Sequence, residues 1–185
     1  MADYLRGFTL FRENTADVYC AAYGSNLVER RMKERCPGSS VYGTSEIHGY
    51  RLLFKQSMTG AYATIEQDAN SKVPVVIYKM SMADEAKLDR FEGYPRYYRK
   101  QEFLLPVWGT NGKKKKKRRY CIAYIMHEDR QLGKPSIEYF RLLEEGYGRW
   151  GFDYECLFKG LDSSIGFDES KAWLERFYGE VDRHE

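Results

Sequence analysis

A chain of 185 residues with 43% hydrophobic and 31% charged side chains can bury a respectable single core, and reads as a soluble globular protein. Its net charge of +3 misleads: Lys113–Lys117 with Arg118 and Arg119 supply seven cations, and taking these from the 30 Lys and Arg leaves 23 against 27 Asp and Glu. The body is therefore mildly acidic with one basic loop, and no apolar run approaches the roughly 20 residues needed to cross a bilayer.

Asp3, Arg6 and Arg12 interrupt any signal-peptide core, so the expected location is cytoplasmic. Cys20, Cys36, Cys121 and Cys156 are dispersed and form no Cys-x-x-Cys pair, and His48, His127 and His184 are isolated. Such thiols read as small hydrophobes in a reducing compartment, and neither a zinc nor an iron–sulfur site is expected.

Residues 1–17 carry Phe8, Leu10 and Phe11 and end in polar Glu13-Asn14-Thr15, which suits either an N-terminal extension or a lead-in strand. Val18-Tyr19-Cys20-Ala21-Ala22 has the short, apolar look of a buried strand. Tyr23-Gly24-Ser25-Asn26-Leu27 follows and leads into a helix that places Leu27, Val28 and Met32 at helical spacing, stopped by Cys36-Pro37-Gly38. A strand turning at Gly24 into a helix leaves unpaired N–H groups for a small anion. The plainer reading is a strand–turn–helix with Ser25 or Asn26 as N-cap.

Ser40–Lys55 alternates as a long strand, bent near Gly43 or Gly49. Tyr62–Ile65 and Val73–Met80 read as the next two strands, with polar Gln67–Lys72 as the turn between them. Val75-Val76-Ile77 has the continuous hydrophobicity of a strand covered on both faces. Ser81 opens a helix with Asp84 as capping-box partner, and Gly93 and Pro95 end it. Two strands follow, Tyr97–Trp108 and Arg119–Met126, joined by a basic hairpin loop over residues 109–119. Ser136–Trp150 is an amphipathic helix with Ile137, Phe140, Leu143 and Tyr147 on one face. Asp153–Gly160 suits a shorter helix, and Asp168 caps a last one, about 168–182, that bears Ala172, Leu174, Phe177 and Tyr178. This describes one α+β domain over residues 18–185, sheet-rich in its middle.

Glu92 is the acid that stands out. It lies four residues after Leu88, on the face that residue turns to the core, and at the negative end of the helix dipole. Both influences raise a carboxyl pKa towards the value of a general base at neutral pH. The competing reading is a frayed, solvated helix end. Tyr94, Tyr97, Tyr98 and Tyr139 offer walls with an apolar body and a donor tip, although most of the 16 tyrosines must be structural. The lysine run fits a solvated hairpin tip, or a contact for phosphate, nucleic acid or an import receptor; it has no interleaved aromatics, which disfavours nucleic acid.

In this order the pieces resemble the gamma-glutamylcyclotransferase family. The likeness runs over about residues 18–162 and rests on Ala22-Tyr23-Gly24-Ser25-Asn26-Leu27, Gly60-Ala61-Tyr62-Ala63-Thr64-Ile65, Val76-Ile77-Tyr78-Lys79-Met80, Leu88-Asp89-Arg90-Phe91-Glu92-Gly93 followed by Tyr98, and Pro135-Ser136 with Tyr139. The resemblance implies a small mixed β-barrel-like sheet flanked by helices, and a cofactor-free enzyme. Such an enzyme closes a γ-glutamyl amide to 5-oxoproline and frees an amino acid or amine. By this likeness Glu92 is the catalytic glutamate, Ala21, Ala22, Tyr23, Gly24, Ser25, Asn26 and Leu27 form the substrate loop, Tyr139 is the pocket tyrosine and Tyr98 a second wall. The Asn26-Leu27 form differs from the glutathione-specific branch, where Leu follows Tyr-Gly-Ser. The implied partner is a small γ-glutamyl compound, with the chain a monomer or homodimer. The rivals are a binding module that engages an anionic partner through Lys113–Arg119, and an amidohydrolase that uses water.

Overall fold

The structure, a computed structural model, describes residues 17–110 and 115–181. Five strands close into a barrel in the order β1-β3-β2-β4-β5: β1 (Asp17–Ala22), β2 (Ser40–Ser57), β3 (Gly60–Ser81), β4 (Tyr98–Trp108) and β5 (Lys115–Met126). Its broad faces are the antiparallel pairs β2–β3 and β4–β5. The closure is thin, with Thr44 opposite Trp108 between β2 and β4, and Cys20 opposite Ile122 between parallel β1 and β5. Val73, Val75, Val76, Ile77 and Tyr78 of β3 are fully buried, as expected for a strand covered on both faces.

Gln67–Lys72 is not a turn between two strands. β3 runs unbroken from Gly60 to Ser81, and its partner register jumps from Tyr50↔Gln67 to His48↔Lys72. Asp68 accepts from Asn70 N–H at 3.1 Å and Ser71 Oγ at 3.0 Å, so the polar residues form a local excursion inside one strand. Gly49, at φ +78°, faces it on β2, and a second irregularity falls between Val41 and Gly43. A Cβ on Gly43 would lie 2.0 Å from the Trp108 carbonyl oxygen, so the seam to β4 closes only over a glycine.

β5 begins at Lys115, four residues before the expected start, because Lys115 and Lys116 pair with Trp108 and Val107. Residues 111–114, the first sixteen residues and the chain beyond 181 lie outside the described residues, and with them the proposed N-terminal extension, part of the basic loop and His184.

The helix expected straight after Gly24 is split into a 3-10 turn, Ser25–Leu27, and α1 (Glu29–Arg35). Val28 between them is extended, at φ −81° and ψ 109°. The Leu27 carbonyl accepts from Trp150 Nε1 at 2.8 Å, so it is not free to continue a helical ladder, and neither Ser25 nor Asn26 acts as a side-chain cap.

α2 (Met82–Glu92) starts where Ser81 Oγ accepts from Asp84 N–H at 3.1 Å and ends at Gly93 in the left-handed conformation, φ +67°. Its inner face is unusually polar. Leu88 is buried, but so are Asp84 and Glu85. Lys100 of β4 donates to Glu85 at 2.7 Å and to Asp89 at 2.8 Å, and Tyr124 Oη of β5 donates to Asp89 at 2.5 Å. α2 is thus oriented on the barrel by charge pairing as well as by apolar contact.

α3 (Ile137–Trp150) buries Phe140, Leu143 and Tyr147. α4 (Glu155–Ile165) runs five residues past its expected end, and α5 (Phe167–Val181) packs Trp173 and Phe177 on Phe140 with ring centroids 4.8 and 5.3 Å away. The inward face of α5 is Ser170, Trp173 and Phe177; Ala172 and Tyr178 are exposed, and Asp168 lies within the first turn rather than capping it. Cys20, Cys36 and Cys121 are buried free thiols, and Cys156 is half-buried. Among the described residues no helix is long and apolar enough to cross a membrane.

Candidate active site

A cavity of about 470 Å³ opens where the end of β1 with its bend, the C-terminus of α2, the start of β4 and α3 converge, with further lining from α1, the β2–β3 hairpin and Tyr124 of β5. Ala21, Ala22, Tyr23, Gly24, Ser25 and Asn26 form one side, Glu92 faces them, and Tyr98 and Tyr139 complete the walls. Leu27 does not reach the cavity. It is fully buried beneath α3, where a Cβ on Gly146 would lie 2.5 Å from its own.

Glu92 is the last residue of α2, directly before the Gly93 reversal, and it lines the cavity. The residue is half-buried by area, with its open surface on the cavity it lines, while its carboxyl group is deeply enclosed by protein. Burial pushes its pKa up to about 7, against the opposing pull of the Arg35 cation and a hydrogen bond from Asn26. Asn26 Nδ2 donates to Glu92 Oε1 at 3.2 Å.

Around the acid stand phenols. Burial raises the pKa of Tyr23, Tyr98 and Tyr139, with Glu92 adding to the effect, so all three remain protonated. Tyr139 Oη accepts from Ala63 N–H at 3.1 Å and its ring meets Tyr62 edge-on at 5.0 Å. A Cβ on Gly24 would come within 3.3 Å of Tyr139 Oη, so the missing side chain keeps the bend and the phenol close. Tyr23 Oη donates to the Tyr124 carbonyl.

The sequence reading missed Arg35, Phe91 and Tyr62. Arg35 Nη1 reaches Asn26 Oδ1 at 2.5 Å and Ser25 Oγ at 3.1 Å, and its guanidinium carbon lies 3.7 Å from the Phe91 ring centre. Helical spacing could not reveal this contact, because the break at Val28 folds α1 back on the bend. The sequence offers little signal for it, since α1 carries Arg30, Arg31 and Lys33 as well as Arg35.

A larger hollow of about 830 Å³ lies elsewhere, between β2, β3 and α4. Its charges are engaged in surface pairs such as Lys72–Glu46 at 2.7 Å and Lys159–Glu155 at 2.8 Å. Among the described residues no three of His, Cys, Asp and Glu are placed to hold a metal ion.

Residues 20–143, two thirds of the chain, match the family model described as Gamma-glutamyl cyclotransferase, AIG2-like. The chain belongs to that family. A curated Bos taurus protein named Gamma-glutamylcyclotransferase is 28% identical over 141 residues, spanning 72% of each chain, and its Homo sapiens counterpart is 26% identical over the same coverage. A solved gamma-glutamyl cyclotransferase superposes with a TM-score of 0.68 at 24% identity, covering 86% of this chain and 99% of its own. A solved human protein described as uncharacterized gives 0.66 at 26% identity, covering 76% and 84%. A yeast protein described as specific to glutathione shares the fold alone, at 0.57 and 12% identity over 82% of this chain and 96% of its own. The gamma-glutamyl cyclotransferase fold is thus the one this barrel adopts. Family membership covers the bend, α2 with Glu92, and the start of α3, but stops short of α4 and α5.

Proposed function

We propose that the protein cyclises γ-glutamyl compounds to 5-oxoproline, with Glu92 as the proton carrier. The observation behind this reading is the enclosed Glu92 carboxyl, pushed up to about 7 and facing a cavity walled by Ala21, Ala22, Tyr23, Gly24, Ser25 and Asn26. A γ-glutamyl group carries its nucleophile with it, since the α-amine can close a five-membered ring on the γ-carbonyl carbon. That amine is mostly ammonium at neutral pH.

In the proposed course, Glu92 takes a proton from the α-ammonium and the freed amine forms the new C–N bond, leaving a ring nitrogen with one surplus proton. The original amide C–N bond then breaks as Glu92 gives its proton to the departing nitrogen, and the same carboxylate relays the surplus ring-nitrogen proton to the amine, which leaves as an ammonium. The products are 5-oxoproline and a free amine. Holding the substrate folded against the walls supplies orientation, an effect worth about 7–11 kcal/mol in favourable cases. Donors of the Gly24–Asn26 bend hold the α-carboxylate or the oxyanion.

One assay tests this: γ-glutamyl-alanine is supplied and both 5-oxoproline and glutamate are measured. Lactam release from the wild type, with a loss of about 10²–10⁴-fold in Glu92→Gln, is the expected outcome. Glutamate as the product would replace the reading with water-driven hydrolysis, and undiminished turnover in Glu92→Gln would remove the acid from the mechanism.

A further inference from the structure

Arg35 is half-buried at the end of α1, and the proposed chemistry gives it no task. Its guanidinium does not pair with the enclosed carboxylate nearby. It donates instead to the oxygen of a neutral amide, Asn26 Oδ1, and to the Ser25 hydroxyl, while Phe91 covers its face. An asparagine side chain has one accepting and one donating end. With Oδ1 taken by Arg35, Nδ2 is left to face Glu92 Oε1. Flipped, the amide would set its oxygen against a carboxylate oxygen and its NH₂ against a guanidinium, so Arg35 and Glu92 together permit a single orientation.

We infer that Arg35 is a positioning residue for Glu92: by gripping Asn26 through its oxygen, it fixes the amide as a donor to the carboxylate and keeps its own charge one group away. The inference rests on the reading of Glu92 as proton carrier. A guanidinium in direct contact would hold Glu92 ionised and make it a poor base, whereas no cation at all would leave it protonated at working pH. The inserted amide gives a middle course. Other groups facing Glu92 are Cys20 and Tyr23 from β1 and its bend, Tyr98 from β4 and Tyr139 from α3, all kept protonated by burial. Arg31 and Arg90 also line the cavity.

The test compares wild type, Arg35→Met and Arg35→Lys by ¹³C-NMR titration of the glutamate carboxyls, with Glu92→Gln to assign the signal, and by kcat and KM across pH. In Arg35→Met the Glu92 midpoint should rise by about one unit or more, and the acid limb of the rate profile with it. kcat should fall about tenfold or more at neutral pH while KM stays within about threefold. Arg35→Lys should restore most of the midpoint but only part of kcat, because an ammonium lacks the planar fork that engages Asn26 and Ser25 together. A Glu92 midpoint unmoved in folded Arg35→Met overturns the inference, as does a raised KM at constant kcat, which would make Arg35 a substrate contact. Should Arg35→Met not fold, Arg35→Lys is decisive alone: an unchanged kcat there overturns the inference. The titration needs no turnover, so a wild type that releases no 5-oxoproline would defeat the proposed function and leave this contact to be judged by the midpoint.

Discussion

Asn26 Nδ2 and Glu92 Oε1 meet at 3.2 Å although 66 positions separate them in the chain. The contact joins the bend after β1 to the last residue of α2, and supplies the donor that partly offsets the burial of the carboxyl. Replacing that donor by an acceptor should therefore act in a known direction. Asn26→Asp puts a second carboxyl against the first, and like charges at this range raise a pKa by one unit or more. The acid limb of kcat/KM should move up accordingly, with Asn26→Ala shifting it less. Rates measured from pH 5 to 9 check both, and an Asn26→Asp limb that stays in place would show that the contact carries no electrostatic weight.

For the wild type, the free-enzyme profile should rise with pH through a midpoint near the Glu92 value of about 7, since the base must be ionised to accept a proton. A plateau already reached at pH 5 would mean that the carboxyl ionises like a surface glutamate.

The same displaced carboxyl has a cost in stability. Its folded pKa, about 7, lies above the ordinary 4.5, so the folded state binds the proton more tightly than the unfolded chain. That contribution is fully present below about pH 4.5 and is lost as pH rises through 7. Glutamine at 92 does not titrate, so the stability of Glu92→Gln relative to wild type should improve between pH 5 and pH 8, by about 1–3 kcal/mol. Melting curves of both proteins at the two pH values read the effect, and parallel curves would contradict it.

How much of this was legible beforehand depended on the range of the forces involved. Ser81, Gly93, Ser136 and the apolar face of α3 are local signals, and each acts where its chemistry requires. Gln67–Lys72 misled because polar residues with Asp and Asn suit a turn, yet β2 continues opposite them and absorbs the excursion at Gly49. The split at Val28 depends on Trp150 capturing the Leu27 carbonyl from 123 positions away, which no local pattern contains. Glu92 was visible from its spacing after Leu88; Arg35 was not, since its contacts exist only once α1 folds back. On α5 Phe177 is buried and Leu174 packs against the core as read from the sequence, but Ala172 and Tyr178 are exposed and Trp173 takes the inward position beside them.

Lys100 offers a separate test of how α2 is held. Its side chain and that of Glu85 are nearly buried, at 10% and 9% exposure, and it also serves Asp89. Lys100→Met would remove the cation shared by Glu85 and Asp89, and breaking such a buried pair from one side costs about 3 kcal/mol or more. Restoring balance with Lys100→Met plus Glu85→Gln should recover part of that loss. Chemical denaturation of the single and double variants measures it, and additive losses would mean that Lys100 and Glu85 are not coupled.

Gly146 links the bend to α3 without touching the cavity. A methyl group there would sit 2.5 Å from Leu27 Cβ and 3.3 Å from its Cδ1, so either α3 or the bend must move. Leu27 follows Asn26 directly, and α3 carries Tyr139, so either movement displaces a wall of the site. Alanine favours helices over glycine by about 1 kcal/mol, but overpacking a tight core contact costs about 1–3 kcal/mol. Gly146→Ala should therefore be no more stable than wild type and should lose kcat/KM. Gly179→Ala supplies the control: α5 has nothing within 4 Å of the added methyl, so the propensity gain should appear alone, with activity unchanged. If Gly146→Ala instead gained stability like the control and kept its kcat/KM, the close approach of α3 to Leu27 would have no part in holding the bend.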